Sequence, residues 1–168
     1  VRYNSFQSSG WLENISHKKL EVVNGDITDF DSVNNAVSNC DYVFNLAASI
    51  SVPYSFKNPQ TFIDTNILGA LNIFRASSLK KNKIKKIIQI SSSEVYGKAK
   101  AGVALNEDTK FHGASPYSIS KIGTDYLGTF YGEAYGVKTF VTRMGTHSGR
   151  RRSDVFFEST VAKQIALI

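Results

Sequence analysis

Short apolar runs alternate with stretches of helical periodicity along most of this chain, and that alternation limits the folds open to it. Residues 20–23 (LEVV), 42–48 (YVFNLAA), 84–90 (IKKIIQI) and 137–142 (VKTFVT) have the length and composition of strands. The run 42–48 is continuously apolar, as in a strand buried on both faces. Between the runs lie helical patterns. One starts at Thr28 or Asp29, either of which can cap it, and runs to about Asn39 with Phe30, Val33, Ala36 and Val37 as its apolar side. A longer one spans 59–79, with Phe62, Ile63, Ile67, Leu71 and Phe74 near helical spacing. A third spans 116–135 with an apolar stripe of Ile119, Ile122, Tyr126, Leu127, Phe130 and Ala134, and a fourth covers 155–168. The segments around Pro53, at 97–112 and at 143–153 read as loops, and Val1 to Tyr3 as the tail of a further strand. Strict alternation of this kind predicts an α/β fold: a doubly wound parallel sheet with helices on both faces. At 168 residues the chain is one domain, 1–168.

Ligands of such sheets collect at the carboxyl ends of the strands. The chemically able residues sit there: Asp26 after the first run, Ala47 and Ala48 closing the second, Ser91-Ser92-Ser93-Glu94 after the third, Arg143 after the fourth. The third helical stretch opens SPYSISK and puts Tyr117 and Lys121 four residues apart, one turn along a single face. An ammonium beside a phenol favours the phenolate, so the Tyr117 pKa is expected to fall. Such a tyrosine takes a proton from a hydroxyl while hydride leaves the same carbon. Alone, the spacing is equally that of an ordinary amphipathic helix, and the serine run that of a turn with Glu94 as a cap. Cys40, the one cysteine, excludes an internal disulfide, fits a reducing, cytoplasmic setting and reads as structural. No run of 18 apolar residues suggests a membrane span. The net charge of +6 suits an anionic partner. Its clusters at Lys80, Lys81, Lys83, Lys85 and Lys86 and at Arg150 to Arg152 read as solvated turns rather than as a nucleic-acid surface. No metal-ligand spacing accompanies them.

Taken together, NGDITD at 24–29, NLAA at 45–48, NILGALNI at 66–73, ISSSEVYG at 90–97 and SPYSISKIGTDYL at 115–127 resemble the extended short-chain dehydrogenases/reductases of the nucleotide-sugar epimerase/dehydratase type. The resemblance covers nearly the whole chain and implies a Rossmann-type domain holding NAD or NADP. By that resemblance Asp26 and Ile27 border the adenine, and Ala47, Ala48 and Ser91 line the cofactor path. Tyr117 is the catalytic base, Lys121 holds the nicotinamide ribose, and Ser92 bonds the sugar 4-hydroxyl. Asn66 is either structural or functional. Glu94 points to the 4,6-dehydratases, in which it removes the C5 proton of a 4-keto sugar. Ser93 stands where glucose-type enzymes carry an aspartate, which is closer to the GDP-mannose branch. A 4-epimerase, a UDP-glucuronate decarboxylase and a non-catalytic NAD(P)-binding regulator are the alternatives.

The same resemblance implies a nucleotide-diphosphate sugar as substrate and a homodimer through helices 59–79 and 116–135. Three departures are visible. A first strand with a Gly-rich phosphate loop is missing, as is a carboxy-terminal substrate domain, so the fold is expected to be incomplete. Arg143-Met144-Gly145-Thr146 replaces the R-P-F-N of many relatives; Arg143 is retained as a substrate residue, and the arginines that follow as candidates for a diphosphate. Arg2, near the end of what would be the second strand, tilts the cofactor toward NADP.

Overall fold

The computed structural model describes residues 10–79, 82–150 and 152–168. Arg2, the proposed strand tail at Val1 to Tyr3, and Lys80, Lys81 and Arg151 lie outside the described residues. Strands β1 (Tyr42–Asn45), β2 (Lys86–Ile90) and β3 (Thr139–Thr142) form a parallel sheet in the order β1-β2-β3. Register runs Phe44↔Ile88 and Ile88↔Phe140.

Helix α1 (Phe30–Val37) starts where the Asp29 carboxylate accepts from the backbone N–H of Asp31 and Ser32. Residues 20–23 stay outside the ladder, with Leu20, Val22 and Val23 exposed, because no described strand lies alongside to pair with them. The segment around Pro53, expected as a loop, is a short helix, α2 (Val52–Lys57). Ser51 caps it, and Pro53 falls in its first turn, where a missing N–H costs nothing. The expected helix 59–79 is one continuous run with a wide turn inside it: α3 (Pro59–Phe62), a π-helical turn (Ile63–Leu68) and α4 (Gly69–Ser78).

Helix α5 (Pro116–Tyr135) is specified at both ends. Ser115 Oγ accepts from Ser118 N and Ser118 Oγ from Ser115 N, Pro116 occupies the first turn, and Gly136 ends the helix at φ 67°. Gly128 lets α5 lie close on the sheet: a Cβ there would stand 3.0 Å from a Val141 methyl. Helix α6 (Phe157–Ile165) follows the last loop.

The core gathers Val33 and Val37 of α1, Ala70, Ile73, Phe74 and Ala76 of α4, Ile87 of β2 and Tyr131 of α5. It lies on one face of the sheet. On the other face Phe44 and Phe140 are 63% and 58% exposed, so β1 is covered on one side only, not on both. The expected apolar stripe of α5 is split. Ile119, Tyr126 and Phe130 face solvent and Leu127 packs against the core, while Ser118, Ser120, Lys121, Thr124 and Asp125 are buried. Cys40 is exposed just after α1, its thiol donating to the Ala36 carbonyl.

Candidate active site

The loop leaving β2 is held by the neighbouring strand's exit. Ser91 N donates to Thr142 O (2.8 Å) and Ser93 N to Met144 O (2.9 Å). Ser92 stays extended, and its Oγ accepts from Glu94 N (3.2 Å), which starts a 3-10 turn at Ser93–Tyr96. Gly97 ends that turn at φ 63°; a Cβ there would run into the His112 carbonyl, so the position admits only glycine.

The first turns of α5 deliver Tyr117 and Lys121 opposite this loop, both almost fully buried. The Ser92 hydroxyl stands near the Tyr117 phenol and favours its ionised form. Lys121 Nζ donates to Ile90 O (2.9 Å) and lies 5.9 Å from the Tyr117 ring centre. Ser91, Ser92, Ser93, Glu94, Tyr117 and Lys121 line one cleft of about 320 Å³. Ala48, His147, Arg152 and Phe156 also line it.

The electrostatics differ from the sequence expectation. The Tyr117 pKa is raised, not lowered: burial favours the neutral phenol and outweighs the Ser92 hydroxyl, and the Glu94 charge adds to the rise. Lys121 is itself displaced, down to about 8, because burial disfavours its ammonium. Helical spacing brings the two side chains together, but it does not aim Nζ at the phenolic oxygen; here Nζ is aimed at a backbone carbonyl.

Asn66 links three segments from inside the π-helical turn. Its Oδ1 accepts from Ser49 N (2.7 Å), and its Nδ2 donates to Ser49 O (3.0 Å) and to Ser120 Oγ (2.8 Å). Ser120 Oγ donates in turn to the Tyr117 carbonyl (2.7 Å). The loop after β1 is thereby fixed relative to the first turn of α5. A second cavity of about 380 Å³ lies beside that loop, lined by Asp26, Ile27, Ala47 and Ala48, and Ala48 also lines the cleft. Asp26 Oδ1 accepts from Thr28 N and Oγ1, which shapes the turn that forms its floor.

Arg143 is not brought to the cleft. Its guanidinium is bidentate to Asp125 (2.9 and 3.1 Å), donates to Tyr96 Oη (3.1 Å) and Glu107 O (2.7 Å), and lies over the Phe111 ring. Asp125, buried on α5, requires a counter-charge, and Arg143 supplies it. Sequence reading missed Asp125 for lack of a motif linking it to residue 143. It also left Asn66 undecided, because its partners are 17 and 54 residues away.

Comparison with known proteins agrees with this geometry. The profile of the family described as GDP-mannose 4,6 dehydratase matches residues 1–168. The low-salt glycan biosynthesis protein Agl12 of Haloferax volcanii is 32% identical over 144 residues, 86% of this chain and 44% of the relative. Among solved structures, the UDP-glucose 4-epimerase of Thermus thermophilus in complex with NAD superposes with a TM-score of 0.82 at 27% identity, over 95% of this chain and 51% of that one. RMD from Pseudomonas aeruginosa complexed with NADPH gives 0.77 at 31% identity, over 84% and 48%. The chain thus spans about half the length of the relatives it matches.

Proposed function

The chain belongs to the GDP-mannose 4,6-dehydratase family, and on that premise we propose that the complete protein is a nucleotide-sugar 4,6-dehydratase working with NAD or NADP. The observation that carries this reading is the meeting of Glu94 with Tyr117, Ser92 and Lys121 in one cleft.

The residues present fit a dinucleotide. Ala47 and Ala48 leave room at the end of β1, and Asp26 and Ile27 floor the adjoining cavity. The buried Ser91 hydroxyl has no hydrogen-bond partner among the described residues. Lys121 Nζ carries three N–H groups and spends one on Ile90 O, which leaves donors to offer ribose hydroxyls. Bound there, a nicotinamide dinucleotide would supply the hydride-transfer chemistry that links the sugar C4 to C6.

Everything else in the reaction falls to the chain. Tyr117 Oη takes the 4-hydroxyl proton, with Ser92 holding that hydroxyl. The 4-ketone acidifies C5–H, and the Glu94 carboxylate removes that proton. Hydroxide leaves C6 and departs as water on receiving the proton. Hydride then adds at C6 and a proton returns to C5, giving a 4-keto-6-deoxy sugar with net loss of one water. The phenol proton goes to solvent, so atoms balance. The raised Tyr117 pKa and the lowered Lys121 pKa describe the protein before the cofactor's own charge enters the site, and it is the phenolate form of Tyr117 that takes the proton.

A 4-epimerase is the second reading, favoured by the fit to the epimerase fold. It needs no base at C5 and leaves Glu94 without a task. Incubating the complete protein in heavy water with GDP-mannose, dTDP-glucose, UDP-N-acetylglucosamine and UDP-glucuronate separates the readings by mass. Loss of one water with deuterium gained at C5 supports the dehydratase. Unchanged mass with inverted C4 supports the epimerase, and loss of carbon dioxide a decarboxylase. Bound cofactor without turnover supports a non-catalytic protein.

The exposed Ile119, Tyr126 and Phe130 of α5, beside Ile63 and Leu68 of the preceding helical run, support a homodimer through these two helices. No described helix is long and apolar enough to cross a membrane, and a cytoplasmic setting accompanies the proposed substrate class.

A further inference from the structure

The cavity beside the loop after β1 is lined by two separate segments, Asp26-Ile27 in the turn 24–28 and Ala47-Ala48 after β1. Both are tied to the helical run formed by α3, the π-helical turn and α4. Asn66, in the π-helical turn, holds the second segment through Ser49. The first segment is held further along the same run. Asn72 of α4 is 2% exposed, and its Nδ2 donates to the Ile27 carbonyl (3.0 Å), 45 residues away in the chain. Gly69, three residues before Asn72 and on the same helical face, receives the Ile27 side chain. A Cβ at Gly69 would stand 2.8 Å from Ile27 Cγ2. Gly69 is helical at φ −59°, so backbone conformation does not require glycine there; the close approach of Ile27 does.

Burial alone does not explain Asn72. Its neighbours Ala70, Ile73 and Phe74 fill the core with apolar side chains. An amide among them is tolerated when it is hydrogen-bonded, and Ile27 O accepts that bond. The bonds from Asp26 to Thr28 are internal to the turn, whereas Asn72 ties the turn to a helix outside it. A flat heterocycle binds tightly where the segments around it are already ordered, because ordering them on binding subtracts from affinity.

Resting on the reading of this cavity as the adenine end of the cofactor site, we propose that Asn72, with Gly69, is a positioning residue for the adenosine half of the dinucleotide. Buried behind Ile27, Asn72 touches no cofactor atom. It fixes Asp26-Ile27 relative to Ala47-Ala48, and without its amide the turn carries an inward carbonyl that has lost its donor. The nicotinamide half, served by Lys121 on α5, is outside its reach.

The test uses the complete protein freed of cofactor, with NADH and ADP-ribose as ligands, which differ by the dihydronicotinamide ring; NADPH and 2′-phospho-ADP-ribose replace them if the phosphorylated cofactor binds tighter. Calorimetry gives the affinities of wild type, Asn72→Leu and Gly69→Ala, and circular dichroism reports whether each variant is folded. Leucine keeps the bulk of asparagine and removes the donor. The expected result is at least tenfold weaker ADP-ribose binding in Asn72→Leu and at least threefold weaker in Gly69→Ala, with the ratio of the two ligands' affinities within twofold of wild type. ADP-ribose binding unchanged in a folded Asn72→Leu overturns the proposal, and so does a ratio that falls along with it, the mark of a site loosened throughout. If Asn72→Leu does not fold, Gly69→Ala, which keeps the amide and displaces Ile27, decides by the same criteria. A wild-type protein that binds neither ligand refutes the cofactor reading and this proposal with it. The expected losses in a protein that removes no water from any nucleotide sugar refute the dehydratase reading alone.

Discussion

Replacing Lys121 by methionine should make the cofactor-free protein more stable at neutral pH while disabling the proposed chemistry. Burial lowers the Lys121 pKa from 10.5 to about 8, a depression that represents ~3 kcal/mol of folding free energy at ~1.4 kcal/mol per unit. The side chain is 4% exposed, so solvent screening takes little from this figure. Methionine has similar bulk and no charge to bury. It forfeits the hydrogen bond to Ile90 O, worth ~1 kcal/mol, although Gln89 Nε2 still donates to that carbonyl. The net gain at pH 7 is therefore ~2 kcal/mol. Between about pH 8 and 10.5 the unfolded chain holds the lysine proton and the folded one does not, so wild-type stability rises with pH through that window. The variant has no such rise, and its advantage should vanish and change sign by pH 10.5. Urea denaturation of both proteins, followed by circular dichroism at pH 7, 9 and 10.5, measures this. A variant less stable at pH 7, or a difference that does not move with pH, refutes the burial argument.

Tyr117→Phe should lower kcat by ~10²–10⁴-fold, with the melting temperature little changed, in a coupled turnover assay. Asp125→Asn should cost ~3 kcal/mol by denaturation, because it leaves the Arg143 charge without its carboxylate; Asp125→Leu with Arg143→Met should cost less than the single change. Asn66→Ala should cost ~3 kcal/mol and weaken cofactor binding, since the Ser49 N–H and the Ser120 hydroxyl lose the partner that fixes the loop after β1; fluorescence titration with NADH and NADPH reads the second effect. Tyr126→Glu with Phe130→Glu should turn the proposed dimer into a monomer in light scattering, and an intact dimer would move the interface elsewhere.

The parallel sheet, the three main helices and the cleft were legible because each is written locally. Ser115-Pro116 and Ser118 start α5, Gly136 ends it, Asp29 caps α1, and the polar residues stand directly after the strands. What was not legible depends on where faces point. Strand β1 reads as buried on both sides from its composition, yet Phe44 lies on a face that no described helix covers. The apolar stripe of α5 reads as core because hydrophobic periodicity cannot say which way a stripe faces; much of it is exposed, and the buried side also carries Lys121 and Asp125. Pro53 reads as a breaker when only its position in a first turn decides the matter. The direction of the Tyr117 shift depends on desolvation, which spacing does not report.

The π-helical turn at Ile63–Leu68 amounts to one residue more than a straight α-helix would use over the same rise. One residue turns every later side chain by about 100°. Phe62 before the turn and Phe74 after it are both fully buried, so each faces the interior in its own phase. Deleting a single residue between them would improve the helix and ruin the protein, since it would swing either Asn66 away from Ser49 or the whole Ala70–Phe74 face out of the core. Length polymorphism in this chain should therefore be found in its loops and never within that turn.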